Sequence, residues 1–178
     1  MTEFEKRHEK GIIALKTIYL CGFMGCGKTT IGKLLAQKRG CGFFDMDAYI
    51  TEKEGMEIPQ IFAEKGEKYF REAETEAIRA LSEKNGVIAC GGGAMLKKEN
   101  AAIASAAGAV VYIDVSFETC YSRISGDRNR PIVMNNTKEE LEIIYDGRAP
   151  VYSENASVTV SGDGSAEDIA ERIIAAVR

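Results

Sequence analysis

Gly22-Phe23-Met24-Gly25-Cys26-Gly27-Lys28-Thr29 is the stretch whose reading decides how this chain folds. It fits the pattern G-x-x-x-x-G-K-[ST], and an apolar segment, Thr17-Ile18-Tyr19-Leu20-Cys21, runs into it as a strand would. Residues 30–39 follow as a helix, with Ile31, Leu34 and Leu35 on one face and Gly40 as a stop. Strand, glycine loop and helix in that order make a phosphate cradle. The glycines let consecutive backbone N–H groups converge on one anion, and the helix N-terminus adds the positive end of its dipole. In such a cradle Lys28 bridges the outer phosphates and the Thr29 hydroxyl ligates Mg²⁺. The loop therefore predicts a site for ATP or GTP.

Outward from the loop, 178 residues predict one domain with a substantial core. A net charge of −4 argues against a general nucleic-acid or anionic-membrane surface. The five cysteines, Cys21, Cys26, Cys41, Cys90 and Cys120, form no C-x-x-C pair, and the single histidine, His8, lies in a charged leader. No zinc site is expected from such a set, and the thiols fit a reducing cytoplasm. Residues 1–16 read as a polar leader without the apolar core of a signal peptide, and no apolar run is long enough to span a bilayer. Cys26 lies where amide dipoles lower a thiol pKa. A small residue merely tolerated in the loop is the plainer reading of it.

Strands and helices alternate through the rest of the chain. Residues 42–44 form a short apolar piece ending in Asp45-Met46-Asp47, and helical spacing follows over 48–53, 59–65 and 67–84. Residues 87–90 and 109–115 are compact apolar strands, the first stopping at Gly91-Gly92-Gly93; residues 96–107 and 117–124 between and after them are helical. Thr137-Lys138-Glu139-Glu140 is a capping box opening a helix toward Arg148, residues 157–160 form a last strand, and a helix begins at Ser165. Near-continuous apolar strands separated by helices predict a parallel sheet covered on both faces, with ligands beyond the carboxyl ends of its strands. Those ends carry the phosphate loop, the aspartate pair and the three glycines.

Asp45 and Asp47 alternate along what reads as an extended segment, so one carboxylate can lean toward Mg²⁺ and nucleotide while the other faces a second substrate. A solvated turn with two helix-capping aspartates fits the spacing equally well. Three glycines at a strand end favour close approach of a ligand over a flexible turn. Arg71 and Arg148 stay open on spacing alone: the first fits a surface charge, the second a helix C-terminal cation beside Pro150. Residues 125–136 form a polar stretch with Arg128, Arg130 and Pro131, which fits a lid folding over a nucleotide.

Together these pieces resemble one family. Gly22–Ala36, Phe44-Asp45-Met46-Asp47, Ile61-Phe62, Gly66-Glu67-Lys68-Tyr69-Phe70-Arg71 with Glu74, Gly91-Gly92-Gly93, Arg130-Pro131 and Arg148-Ala149-Pro150-Val151-Tyr152 are similar in kind and order to shikimate kinase. That family comprises small phosphate-loop kinases of aromatic amino-acid biosynthesis. The resemblance runs from Thr17 to the end. It implies an α/β fold of the nucleoside-monophosphate-kinase type, a P-loop NTPase with a five-stranded parallel sheet flanked by helices and a mobile lid. Residues 1–16 would be leader, 17–178 the single kinase domain, and about 125–136 the lid.

The implied reaction is ATP-dependent phosphorylation of the 3-hydroxyl of shikimate, giving shikimate 3-phosphate and ADP, in the cytoplasm and by a monomer with no nucleic-acid or membrane partner. The resemblance implies that Gly25, Cys26, Gly27, Lys28, Thr29 and Thr30 hold ATP, with Arg123 against the adenine and Arg130 closing on the phosphates. Thr29, and Asp45 through water, would hold Mg²⁺. Asp47 would bind shikimate and act as base, with Lys28 and Arg130 completing the catalytic set. Arg71 and Arg148 would grip the carboxylate, helped by Gly92 and Gly93, between walls of Phe62 and Phe70. Two departures accompany the match: the leader is long, and Cys26 replaces a smaller or hydroxylated residue. The alternatives are a gluconate-type or nucleotide kinase sharing the loop, and a nucleotide-dependent binding protein with a vestigial site.

Overall fold

β1 (Thr17–Cys21) is buried along its whole length, as a strand must be when helices cover both faces of a parallel sheet. In the computed structural model, which describes residues 17–127 and 131–177, it is the central strand of five. β2 (Gly42–Asp45), β3 (Gly86–Ala89), β4 (Gly108–Asp114) and β5 (Val158–Ser161) complete a sheet of order β2-β3-β1-β4-β5. Every pairing is parallel; Leu20 lies opposite Ala89 on one side and Val111 on the other. All carboxyl ends therefore open on the same edge. The core between the layers is built on Leu20, Ile88, Val110 and Val111, with the helical residues Leu35, Ile78 and Ile173 closing over them.

α1 (Lys28–Arg39) begins after Gly27, which holds φ 96°, and ends on Gly40 at φ 64°. Both are left-handed positions that a side chain adopts at a penalty. α2 (Met46–Glu54) starts directly from β2 because Asp45 caps it: its Oδ1 accepts from the backbone N–H groups of Asp47 and Ala48 at 3.1 and 3.3 Å. Asp47 thus stands in the first turn of a helix and not on the extended segment expected from its spacing. The cap satisfies the first amides at once, so no extended residue separates strand from helix.

α3 (Ile58–Ser82) is bent at Gly66, with φ 82° and ψ 169°, so the two expected helical runs meet without an intervening loop. The 3₁₀ turn Ala94–Leu96 and α4 (Lys98–Ala107) lead into β4, followed by α5 (Phe117–Ile124) and α6 (Pro131–Met134). α7 (Lys138–Asn155) opens on the expected capping box of Thr137 and Glu140, and it continues through Pro150. Arg148 is consequently a mid-helix residue and not a C-terminal cation. Proline removes one backbone donor, but Tyr152 and Asn155 beyond it are fixed by side-chain bonds to Gly92 O and Met95 O, which hold the last turn in place. α8 (Ala166–Ala176) buries Ile169, Ala170 and Ile173.

Candidate active site

The ends of β1, β2 and β3 surround two adjoining cavities. The smaller, about 430 Å³, is lined by the loop residues Gly25, Gly27, Lys28, Thr29 and Thr30 and by Arg123 from α5. Lys28 Nζ donates to Gly22 O at 2.9 Å and Phe23 O at 3.1 Å and lies 3.7 Å from Cys26 Sγ, so the ammonium is held over the loop. Arg123 Nη1 donates to Gly25 O at 2.9 Å, which brings a second cation to the rim. The Thr29 hydroxyl donates to Asp45 Oδ2 at 3.0 Å, leaving two oxygens side by side at the mouth.

Cys26 itself is buried in the core, and an added Cβ at Gly22 would come within 2.9 Å of its sulfur. Burial pushes the neighbouring Cys21 and Cys120 thiols up to about 12, and Cys90 well above its ordinary value. Those three are thiols at neutral pH, not thiolates, and inert on that account.

The larger cavity, about 830 Å³, is walled by Phe62 and Phe70, whose ring centroids are 4.7 Å apart. Arg71 and Arg148 reach it from α3 and α7, and Gly91, Gly92 and Gly93 form its floor. Arg71 is tethered: Nη1 donates to Glu74 Oε2 at 2.8 Å and Nη2 to Glu67 Oε1 at 3.1 Å. Its guanidinium also stacks 5.5 Å from the Phe70 centroid. Glu74 has 1% of its side chain exposed. Burial pushes its carboxyl above the usual range although Arg71 pulls the other way, and the nearby Asp47 adds to the rise.

The glycines are explained by these neighbours. A Cβ at Gly93 would lie 2.3 Å from Arg71 Nη1, and one at Gly91 would lie 2.6 Å from Asp47 Oδ1. At Gly92 there is open space, and its carbonyl accepts from the Tyr152 hydroxyl. Asp47, Met24 and Gly92 line both cavities, so a group on the aspartate faces either side.

Every expected site residue on the described part of the chain lies in or beside these cavities, Cys26 with its side chain beneath the loop. Arg130 lies outside the described residues, as do Arg128 and Asn129; within the described remainder of the stretch assigned to a lid, Asp127 and Ile132 line the larger cavity. Glu74 and Tyr152 had no role in the sequence reading. Glu74 stands three residues after Arg71, and Tyr152 four after Arg148, so each shares a helical face with a site arginine. That spacing was the signal for both. No group of three or more His, Cys, Asp or Glu able to hold a metal occurs among the described residues.

Comparison with known proteins follows the same lines. The family model for shikimate kinase matches residues 24–178. A shikimate kinase from Geobacter sulfurreducens is 43% identical over 166 residues, covering 92% of this chain and 91% of its own. The structure of a shikimate kinase from Acinetobacter baumannii in complex with shikimate superposes with a TM-score of 0.86 at 37% identity, over 97% of this chain and 96% of that one. A gluconokinase from Sinorhizobium meliloti, 19% identical with a TM-score of 0.56 over 92% of each chain, shares the fold.

Proposed function

The chain belongs to the shikimate kinase family and phosphorylates the 3-hydroxyl of shikimate, and we propose from that premise how its two cavities divide the work. The phosphates of ATP lie in the smaller cavity, held by the loop amides and Lys28, with Thr30 beside them and Arg123 against the adenine. Shikimate lies in the larger one, its carboxylate between Arg71 and Arg148 and its ring between Phe62 and Phe70. A guanidinium fork pairs bidentately with a carboxylate, which is the physical reason for arginine at both positions. The Gly92 and Gly93 amides complete that end of the site. The observation that carries this reading is the placement of Asp47 on the wall common to both cavities.

Asp47 accepts the proton of the 3-hydroxyl as that oxygen attacks the γ-phosphorus. The bond from phosphorus to the β-bridging oxygen breaks, and ADP and shikimate 3-phosphate result. Lys28 and Arg130 stabilise the charge on the phosphoryl oxygens, and Arg130 does so from the lid. The paired oxygens of Thr29 and Asp45, 3.0 Å apart, suit a hard cation that keeps most of its waters and takes the rest of its ligands from phosphate. Thr29 directly, and Asp45 through water, are the residues that would hold Mg²⁺, which when bound neutralises charge on the nucleotide.

One chain supplies both cavities, so a monomer suffices for the reaction. A net charge of −4 offers no general nucleic-acid or membrane surface, and the family relationship supports a cytoplasmic enzyme. No described helix is long and apolar enough to cross a membrane. The test is ADP release with shikimate, gluconate and nucleoside monophosphates side by side. Turnover is expected with shikimate; turnover with gluconate and not with shikimate would overturn the assignment.

A further inference from the structure

Tyr152 lies one helical turn beyond Arg148 on α7, 1% exposed, with its ring centroid 5.5 Å from that of Tyr112. Its hydroxyl donates to the Gly92 carbonyl, and Arg148, four residues earlier on the same helical face, lines with Gly92 the larger cavity. Burial pushes the phenol pKa up, so the hydroxyl stays protonated and keeps its donor at any working pH.

The segment that receives this bond is held from two sides. From α7, Asn155 Nδ2 donates to Met95 O at 2.8 Å. From α3, the Thr75 hydroxyl donates to Asn100 Oδ1 at 2.7 Å, and Asn100 Nδ2 donates to Ala94 O at 2.9 Å. Thr75 and Asn100 are 5% and 1% exposed, so these bonds do not exchange with water. The two helices that carry Arg71 and Arg148 are therefore pinned to one glycine-rich segment, residues 91–95.

We propose that Tyr152 is a positioning residue for the acceptor: its hydroxyl ties the turn of α7 that carries Arg148 to Gly92, and through the glycine segment to the helix that carries Arg71, so that both forks meet one carboxylate in register with Asp47. This rests on Arg71 and Arg148 being the partners of the shikimate carboxylate. A guanidinium is useful for bidentate pairing only at a fixed angle, and that angle is set first by where the helix carrying it is held.

The test uses Tyr152→Phe, Arg148→Lys and the double variant in the whole enzyme, with KM for shikimate, KM for ATP, kcat and thermal midpoint measured on each. Phe keeps the buried ring, and ADP affinity reports the folded fraction of each preparation. Tyr112→Phe, which removes a hydroxyl bonded to Asp114 in the same layer, serves as the control and is expected to leave KM unchanged. Tyr152→Phe should raise KM for shikimate about tenfold, the loss of one buried hydrogen bond to the Gly92 carbonyl, with KM for ATP unaltered. In the double variant the combined penalty should be smaller than the product of the two single penalties, because one acts through the other. Fully multiplicative penalties, or a lowered melting point with KM for shikimate unchanged, overturn the proposal. If Arg148→Lys raises KM and Tyr152→Phe does not, the proposal alone falls; if Arg148→Lys leaves KM unchanged, the carboxylate assignment falls and takes the proposal with it.

Discussion

Asp47 and Glu74 are two carboxylates facing the same cavity, and burial gives them opposite work. Glu74 has almost no contact with water, and its charged form is disfavoured even beside Arg71. It serves by holding a guanidinium at 2.8 Å. Asp47 meets both cavities, and the proposed mechanism gives it the proton of the hydroxyl. Asp47→Asn should therefore leave ADP binding intact and lower kcat by roughly 10²–10⁴-fold, the usual scale of general-base assistance; a near-normal kcat removes the base role. For Glu74→Gln, the folded-state pKa of the wild-type carboxyl lies above its unfolded value of 4.5. Its contribution to stability is thus complete below that value and is lost as pH rises through the folded value. Glutamine does not titrate, so the melting temperature of the variant should gain on the wild type across that window. Its KM for shikimate should rise by roughly 3–10-fold, because an amide oxygen holds the Arg71 guanidinium less firmly than the buried carboxyl does. A melting difference that stays flat with pH, or an unmoved KM, contradicts this account of Glu74. Neither carboxylate could be assigned by spacing alone: Asp47 fitted a solvated turn as well as a base, and what distinguishes Glu74 is a burial that only the packed helix creates.

At the scale of elements, the segment from Gly91 to Met95 is the joint on which β3, α3 and α7 converge. Three consecutive glycines announced a close approach, but in sequence they pointed to a ligand. In the fold, two of them also clear space for protein side chains, Asp47 and Arg71. Gly93→Ala puts a methyl group 2.3 Å from Arg71 Nη1, and the arginine tip yields more easily than the backbone. KM for shikimate should rise roughly tenfold, the loss of about one charged hydrogen bond, while ADP affinity measured by calorimetry stays at the wild-type value. Weakened ADP binding would instead mean that the whole strand end had moved. The helix boundaries show where local signals suffice. The capping box at Thr137 and the stop at Gly40 act within one turn and were legible. The course of α7 through Pro150 was not, since Tyr152 and Asn155 hold it by bonds to residues 60 positions away in the chain.

Over the whole molecule, alternation of apolar strands and helices sufficed to predict a parallel sheet with its site at the carboxyl ends, because each strand's double-sided burial is written in its own residues. The order β2-β3-β1-β4-β5 arises from pairings between distant segments, which no local pattern encodes. That order sets β1 beside β3, with β2 next to it, and so puts the phosphate loop, the glycine segment and Asp47 around one partition. Met24, Asp47 and Gly92 belong to both cavities, so a ligand on one side would touch groups that also face the other. Ordering a shared wall once and using it twice gives positive coupling between the sites. ADP at saturation should therefore tighten shikimate binding by roughly 5-fold, near the lower end of measured couplings, and shikimate must tighten ADP by the same factor because linkage is reciprocal. Titration calorimetry in both orders measures the two factors independently. Equal affinities with and without the second ligand would mean that the partition transmits nothing, and that the nucleotide and acceptor sites, though adjacent, bind as strangers.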